Sequence, residues 1–411
     1  MTRSPRTRRG SAHLRPTFLA GVLTLAFVVA VVLAAPPRPD WFTPVNSKSS
    51  PGVAMAAQPA TGPMTSFVPQ IPPRRELPTP IPPPPSPTAE PEFISHLDAG
   101  EGVGANELGR IPVLMYHAFV HEEANTDEWT LTFDQFREQL DWLVENDFTM
   151  VGIGSLITRD FDIPAGRKPV VLTFDDASGG QFRMQAAADG GVELNPDTAV
   201  GILEEYKERY PEFGGPAMLA VVPTNCFDFP DDDPSTCEQR LEWLVEHDYE
   251  IGNHTMTHQD LSDVSIDVFK DQVFGTAQWF NERLGGPNNL ADVLVLPFGA
   301  YPVQDNFRAL LFEGFWLEGE YFVPSLVVEV AGGPTRSPFH LEWTTKVQRY
   351  NTEPGVFWGW ADVIDSGEVD LFVSDGDASV VTVPEGWETS LNEDLIAEDG
   401  RRIVIESTGE A

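Results

Sequence analysis

The sequence predicts an α/β protein built on a mostly parallel sheet, and three observations carry that prediction. Short β-branched and apolar runs at 112–115, 170–173, 217–222, 250–253, 293–296 and 326–330 alternate with helix-like segments at 133–145, 196–210, 238–247, 266–284 and 304–313. Repeated βα units of this kind lay strands side by side and parallel, in a sheet either open or closed into a barrel. Second, the run Val170-Val171-Leu172-Thr173-Phe174 leads straight into Asp175 and Asp176, so a buried strand delivers two carboxylates to its C-terminal end, where α/β folds keep their chemistry. Third, once the N-terminal region is set aside, 411 residues leave the length that a single α/β barrel commonly takes.

The chain opens with Arg3, Arg6, Arg8, Arg9 and Arg15, followed by an uncharged apolar run from 17 to 35. A basic flank before such a run is the pattern of an export signal peptide or a signal anchor in the cytoplasmic membrane, so residues 1–35 predict an exported protein, secreted or held on the extracellular face. Residues 36–92 are packed with Pro, Ser, Thr and Ala and include Pro82-Pro83-Pro84-Pro85. They bury too little apolar area to offset their ordering entropy and read as a disordered, Pro-rich linker. The folded part then divides into a main domain at 93–354 and a C-terminal strand-and-turn tail at 355–411 that packs on it.

The formal charge is −37, and residues 1–35 contribute five arginines and no acid, so the rest of the chain is more acidic still. No basic surface remains for nucleic acid. Cys226 and Cys237 are the two cysteines, and in an exported domain a pair this close in sequence is expected to close a disulfide. The loop it would staple carries Asp231, Asp232 and Asp233, whose spacing fits a solvated turn better than a calcium loop.

Adjacent residues of a strand point to opposite faces, so Asp175 and Asp176 should sit in different surroundings and take different tasks. About eighty residues further on stands Asn253-His254-Thr255-Met256-Thr257-His258. Gly252, Asn253 and the threonines disfavour a helix there, and a strand end running into a turn would let both imidazoles converge on one divalent cation beside a carboxylate.

Thr173-Phe174-Asp175-Asp176, His254-Thr255-Met256-Thr257-His258 and Leu296-Pro297-Phe298-Gly299 resemble the first three motifs of the polysaccharide deacetylases, the NodB-homology or family-four carbohydrate esterases. The opening Ile111-Pro112-Val113-Leu114-Met115-Tyr116-His117 and the helix-like 133–145 match in the same order, and the resemblance covers roughly 110–350. It implies a distorted (β/α)7 barrel with the motif loops at one mouth. It further implies that Asp176, His254 and His258 bind one divalent ion, zinc with cobalt or nickel as alternatives, that Asp175 is the general base, and that the loop Pro297, Phe298 and Gly299 helps to hold substrate and oxyanion. The implied reaction is hydrolysis of the N-acetyl amide of an N-acetylated polysaccharide, peptidoglycan or poly-N-acetylglucosamine.

The chain departs from the family pattern in three places. Val295 stands where many members carry an Arg that pairs with the base, leaving the partner of Asp175 unidentified. Ala177 stands where a Gly usually follows the Asp pair, which narrows the backbone choices of that turn. The general acid is open between His117, directly after the first strand, and His340, the one late histidine. Trp316, Tyr321 and Trp343 are expected in the core, with sugar stacking as the alternative, and Trp142 and Trp279 are expected to pack. Two other functions stay in view: a non-catalytic glycan-binding protein of the same fold, and a metal-dependent hydrolase of another amide or ester.

Overall fold

The computed structural model describes residues 93–97, 103–188, 190–227, 233–317 and 319–407. The N-terminal apolar segment and the Pro-rich linker lie outside these residues, as do Asp189, Asp231 and Asp232. No helix among the described residues is long and apolar enough to cross a membrane.

Seven parallel strands close into a barrel: β1 (Val113–Tyr116), β2 (Lys168–Asp175), β3 (Met218–Val221), β4 (Glu250–Asn253), β5 (Asn289–Val295), β6 (Leu326–Gly332) and β7 (Lys346–Asn351). Neighbours in sequence are neighbours in space, and the ring shuts because β1 pairs with β7 on one side and with β2 on the other. The expected (β/α)7 barrel is therefore what the chain forms. A short strand at Phe148–Met150 adds to the lower half of β2, whose upper half pairs with β3.

The alternation of each strand sorts its side chains between two cores. Val113, Val171, Ala220, Val295, Val328 and Val347 belong to the interior cluster, whereas Leu172, Phe174 and Leu219 face outward under the helices. Helix α1 (Phe133–Glu145) shows the outer logic. Thr132 and Gln135 form a reciprocal capping box at its start, and Phe136, Leu140 and Leu143 fall on one buried face. Phe136 meets Tyr116 and Phe174 edge-on at 5.0 and 6.0 Å.

Helices α2 (Ala199–Arg209), α3 (Cys237–Glu246), α4 (Ile266–Lys270), α5 (Thr276–Asn281) and α6 (Asp305–Glu313) follow β2, β3, β4 and β5, with α4 and α5 joined by a π-turn at Asp271–Gly275. The connection from β6 to β7 carries no helix, which is one distortion of the barrel.

Two parts differ from the sequence reading. Strand β7 was not among the expected runs. Residues 355–411, read as strand and turn, begin instead within helix α7 (Pro354–Asp365), whose Phe357 and Trp360 pack on Trp142. Beyond α7, strands Val380–Pro384 and Arg402–Glu406 join Phe93–Leu97 in a separate three-stranded parallel sheet. Val381, Val383 and Ile403 of that sheet pack with Ile111, Val113 and Phe372, closing the N-terminal end of the barrel and leaving the C-terminal mouth open.

Candidate metal and acid-base site

Strand β2 ends at the mouth with Asp175 pointing inward and fully buried. Arg349, also buried, projects inward from β7 and grips it with both terminal nitrogens, Nη1 to Oδ1 at 2.7 Å and Nη2 to Oδ2 at 2.8 Å. The same guanidinium donates to Thr173 Oγ1 at 2.9 Å and, through Nε, to the carbonyl of Glu329 at 2.7 Å, so its orientation is fixed from three directions. Burial by itself would raise the Asp175 carboxyl, but the Arg349 charge outweighs it, with His254 adding to the same side, and the group is held well below the usual carboxylate range. Arg349 is the charge partner that sequence reasoning missed.

The next residue leaves the strand. Asp176 and Ala177 both adopt left-handed backbone, φ 76° and 51°, which swings the Asp176 carboxylate toward β4. Two amide side chains hold this turn. Asn225 donates to the carbonyls of Asp176 and Ala177 at 2.7 and 3.3 Å. Gln181, fully buried, donates to the carbonyls of Asp175 and His117, tying the ends of β2 and β1 together. Ala177 thus occupies the conformation that a glycine would take without strain.

Past the end of β4, Asn253 stabilises the following turn: its Oδ1 accepts from Thr255 N at 2.9 Å, and its Nδ2 donates to the carbonyls of Val273 and Ala291. Thr255 and His258 are left-handed, φ 63° and 52°. The π-turn contributes Gln272, whose Oε1 accepts from both N and Oγ1 of Thr257. The result brings His254 Nε2 and His258 Nε2 each within 3.2 Å of Asp176 Oδ1.

These three residues fit a metal ion. Their ligand atoms lie within 4.8 Å of one another, and donors on a tetrahedral ion with bonds of 2.0–2.1 Å stand about 3.3 Å apart. His254 turns its Nδ1 onto the carbonyl of Val295 at 3.0 Å, which leaves Nε2 facing Asp176. Burial pushes His258 down to about 4, with the neighbouring His254 adding to the effect; for His254 burial acts downward too, but its bond to Asp176 outweighs that and raises it. Two imidazoles and a carboxylate that converge on one point are a donor set suited to zinc.

His117 stands at the same mouth, its Nε2 3.9 Å from Asp175 Oδ2, and its ring meets Trp129 edge-on at 4.9 Å. Burial lowers its pKa more than Asp175 and Asp176 raise it. Of the two candidate acids, His117 is the one that joins the cluster. His340 lies in the helix-free connection after β6, where Arg336 approaches its Nε2, Glu342 N donates to its Nδ1 and its backbone bridges Leu391.

Pro297, Phe298 and Gly299 form a single 3-10 turn after β5. Gly299 is left-handed at φ 63°, and a Cβ there would stand 2.5 Å from Val330 Cγ1. Phe298 also has positive φ, exposes 57% of its surface and meets His258 edge-on at 4.5 Å. Cys226 and Cys237 form the expected disulfide, and Asp233 bonds Ser235, Met184 N and Arg240 rather than standing free in a turn. Trp343 is half-buried against the core, whereas Trp316 and Tyr321, expected inside, are exposed on the hairpin Phe315–Leu317 and Glu320–Phe322.

Residues 162–310 match the family model of the polysaccharide deacetylases. No curated protein matches the chain in sequence. Among solved structures, BA0330 of Bacillus anthracis is 19% identical over 58% of this chain and 64% of its own, with a TM-score of 0.42. BC0361, a polysaccharide deacetylase of Bacillus cereus, is 19% identical over 62% of this chain and 69% of its own, with a TM-score of 0.44. The Streptococcus pyogenes deacetylase PplD, solved with acetate, is 20% identical over 58% and 91%, with a TM-score of 0.41. The chain thus spans just under two thirds of the first of these proteins.

Proposed function

We propose, from the premise that this chain carries a polysaccharide deacetylase domain, that it hydrolyses the N-acetyl amide of sugars in an N-acetylated polysaccharide, with peptidoglycan and poly-N-acetylglucosamine as the leading substrates. The observation that carries the proposal is the buried Asp175–Arg349 pair set directly beside the Asp176, His254 and His258 cluster.

Amide hydrolysis needs a polarised carbonyl, an activated water and a proton for the departing amine. Asp176, His254 and His258 would hold one divalent ion, zinc by donor type, which supplies Lewis acidity and lowers the pKa of water. Asp175 accepts the proton of the attacking water, and Arg349 keeps that carboxylate ionised and aimed. His117, whose Nε2 stands 3.9 Å from Asp175 Oδ2, carries the proton that Asp175 has taken from the water on to the departing amine. For the developing oxyanion the loop after β5 offers the Phe298 amide, because Pro297 has no N–H and those of Gly299 and Ala300 bond back to Leu296 and Pro297.

The non-catalytic reading drew on the absent Arg at Val295 and on the unassigned general acid; Arg349 supplies the missing charge from another strand. The N-terminal apolar segment and Pro-rich stretch support export and spacing from the membrane or wall. Acetate release from N-acetylglucosamine oligomers and from peptidoglycan tests the proposal. Release should vanish with chelator, return with zinc or cobalt, and be lost in Asp175→Asn with metal content retained. Folded, metal-loaded protein that releases acetate from neither would overturn it and turn attention to another amide or ester.

A further inference from the structure

We propose that Trp129 is the platform on which the sugar next to the reacting unit stacks; this rests on the deacetylase reading above. Trp129 leaves 39% of its surface exposed, although a ring of that size gains most from burial. The ring is held in place. Its amide bonds Asp127 Oδ1 at 2.9 Å, its carbonyl accepts from Ala118 N at 3.0 Å, and its Nε1 donates to Glu128 Oε1 at 3.1 Å. One edge of it rests on His117, itself beside Asp175. Phe298 does the same on the other side against His258, so two exposed rings bracket the reactive cluster, each touching one of its histidines.

A cavity of about 380 Å³ lies in the loop that carries Trp129, lined by the two residues preceding it, Asp127 and Glu128, and by Glu123, Thr126, Gln135 and Glu353 among others, though not by the indole itself. A pyranose presents C–H groups on its face and hydroxyls on its rim. An indole face suits the first, and a wall of carboxylate and amide acceptors suits the second. With no lysine or arginine in that lining, a sugar acid or phosphate would meet only repulsion. The acidic loop that holds the ring, with Asp127 and Glu128 bonded to Trp129, therefore favours a neutral or amine-bearing hexose on the platform. Trp316 offers the contrast: it is 67% exposed, but its ring partner is Tyr321 on the hairpin and it touches no residue of the site.

The test measures binding of N-acetylglucosamine monomer and tetramer by calorimetry to the full chain carrying Asp175→Asn, with and without Trp129→Ala, Trp129→Tyr or Trp316→Ala, alongside metal content. Removing the Trp129 ring should weaken tetramer binding about tenfold or more, weaken the monomer much less, and leave metal content as it was. Trp129→Tyr should recover most of the affinity, and Trp316→Ala should bind as its parent does. Equal losses on monomer and tetramer, no loss at all, lower metal content in Trp129→Ala, or a parent that does not bind the tetramer would each overturn the platform. A chain that binds tetramer through Trp129 yet releases no acetate would leave the platform standing and overturn the reaction instead.

Discussion

Two ends of one barrel bury a carboxylate each, and they treat it in opposite ways. At the mouth, Asp175 is locked to Arg349 by two short charged bonds and held far below its ordinary value. At the closed end, Glu250 opens β4 with no cation beside it, accepting only from the amides of Ile153 and Gly154 at 2.7 and 3.0 Å. Burial pushes Glu250 up to about 7, and those two amides recover only part of the loss. The packing around it is as close as at the mouth: a Cβ on Gly152 would stand 2.2 Å from Glu250 Oε1. Dehydration is common to both acids. What holds one of them fully ionised at neutral pH is the guanidinium.

The largest effect should come from removing that guanidinium. Arg349→Met leaves Asp175 buried without its counter-charge and is expected to cost about 3–5 kcal/mol in urea unfolding, with acetate release falling as well. Adding Asp175→Asn to Arg349→Met should return part of the stability, since no unpaired charge then remains. Unfolding at the wild-type denaturant concentration in Arg349→Met would end the comparison.

Glu250 sets the next effect. Its folded value of about 7 lies above the ordinary 4.5, so the folded chain binds more protons between those values and stability falls as pH rises through that window. The loss from this group should reach up to about 3 kcal/mol by pH 8, and Glu250→Gln should flatten that slope whatever it does to the absolute stability. A wild-type chain equally stable at pH 5 and pH 8, with Glu250→Gln unchanged in slope, would show that the two amides suffice to keep Glu250 ionised.

The disulfide sharpens the picture of how the mouth is held. Cys226 and Cys237 are 11 residues apart, and Phe227 N in the loop they close bonds the carbonyl of Ala177 at 3.0 Å. Replacing both cysteines by serine should cost about 2–3 kcal/mol and weaken metal binding through the Asp176–Ala177 turn, read as a lower midpoint in denaturant and a raised Kd for zinc. The smallest effect belongs to His340→Ala, expected to move stability by no more than about 0.5 kcal/mol and to leave acetate release alone. His117→Ala should depress release strongly.

Most of the barrel and the convergence of Asp176, His254 and His258 was legible because both are written in short local patterns. β2 is a run of Val, Leu and Phe leading into two acids, and His254 and His258 sit four apart after the short strand Glu250–Asn253. β7 escaped for a physical reason. Buried parallel strands read as apolar runs, but Lys346-Val347-Gln348-Arg349-Tyr350-Asn351 alternates polar residues with Val347 and Tyr350, and one of its inward positions is a charge. The residue that made the strand look unlike a strand is the one that Asp175 needed. The exposed Trp129 was equally invisible, since nothing in its neighbours separates a platform from a packed indole. The turn after β2 was half legible: the Ala at position 177 signalled an unusual backbone, while Asn225 and Gln181, which hold that turn, come from distant parts of the chain.

The small sheet at the closed end places the first and last strands of the described chain side by side, Phe93 opposite Ile403 and Leu97 opposite Glu406. Among the described residues the first and last strands are thus tied to each other by one parallel pairing. Because the pair is parallel, Glu406 ends beside Leu97 and not beside Phe93, so a circular permutant would need a linker running back along the strand from 406 to 93, with the backbone opened at an exposed connection such as 341–345. Trimming, by contrast, is asymmetric. Loss of Phe93–Leu97 uncovers one edge, but loss of Arg402–Glu406 removes the central strand of three and unseals the floor of the barrel.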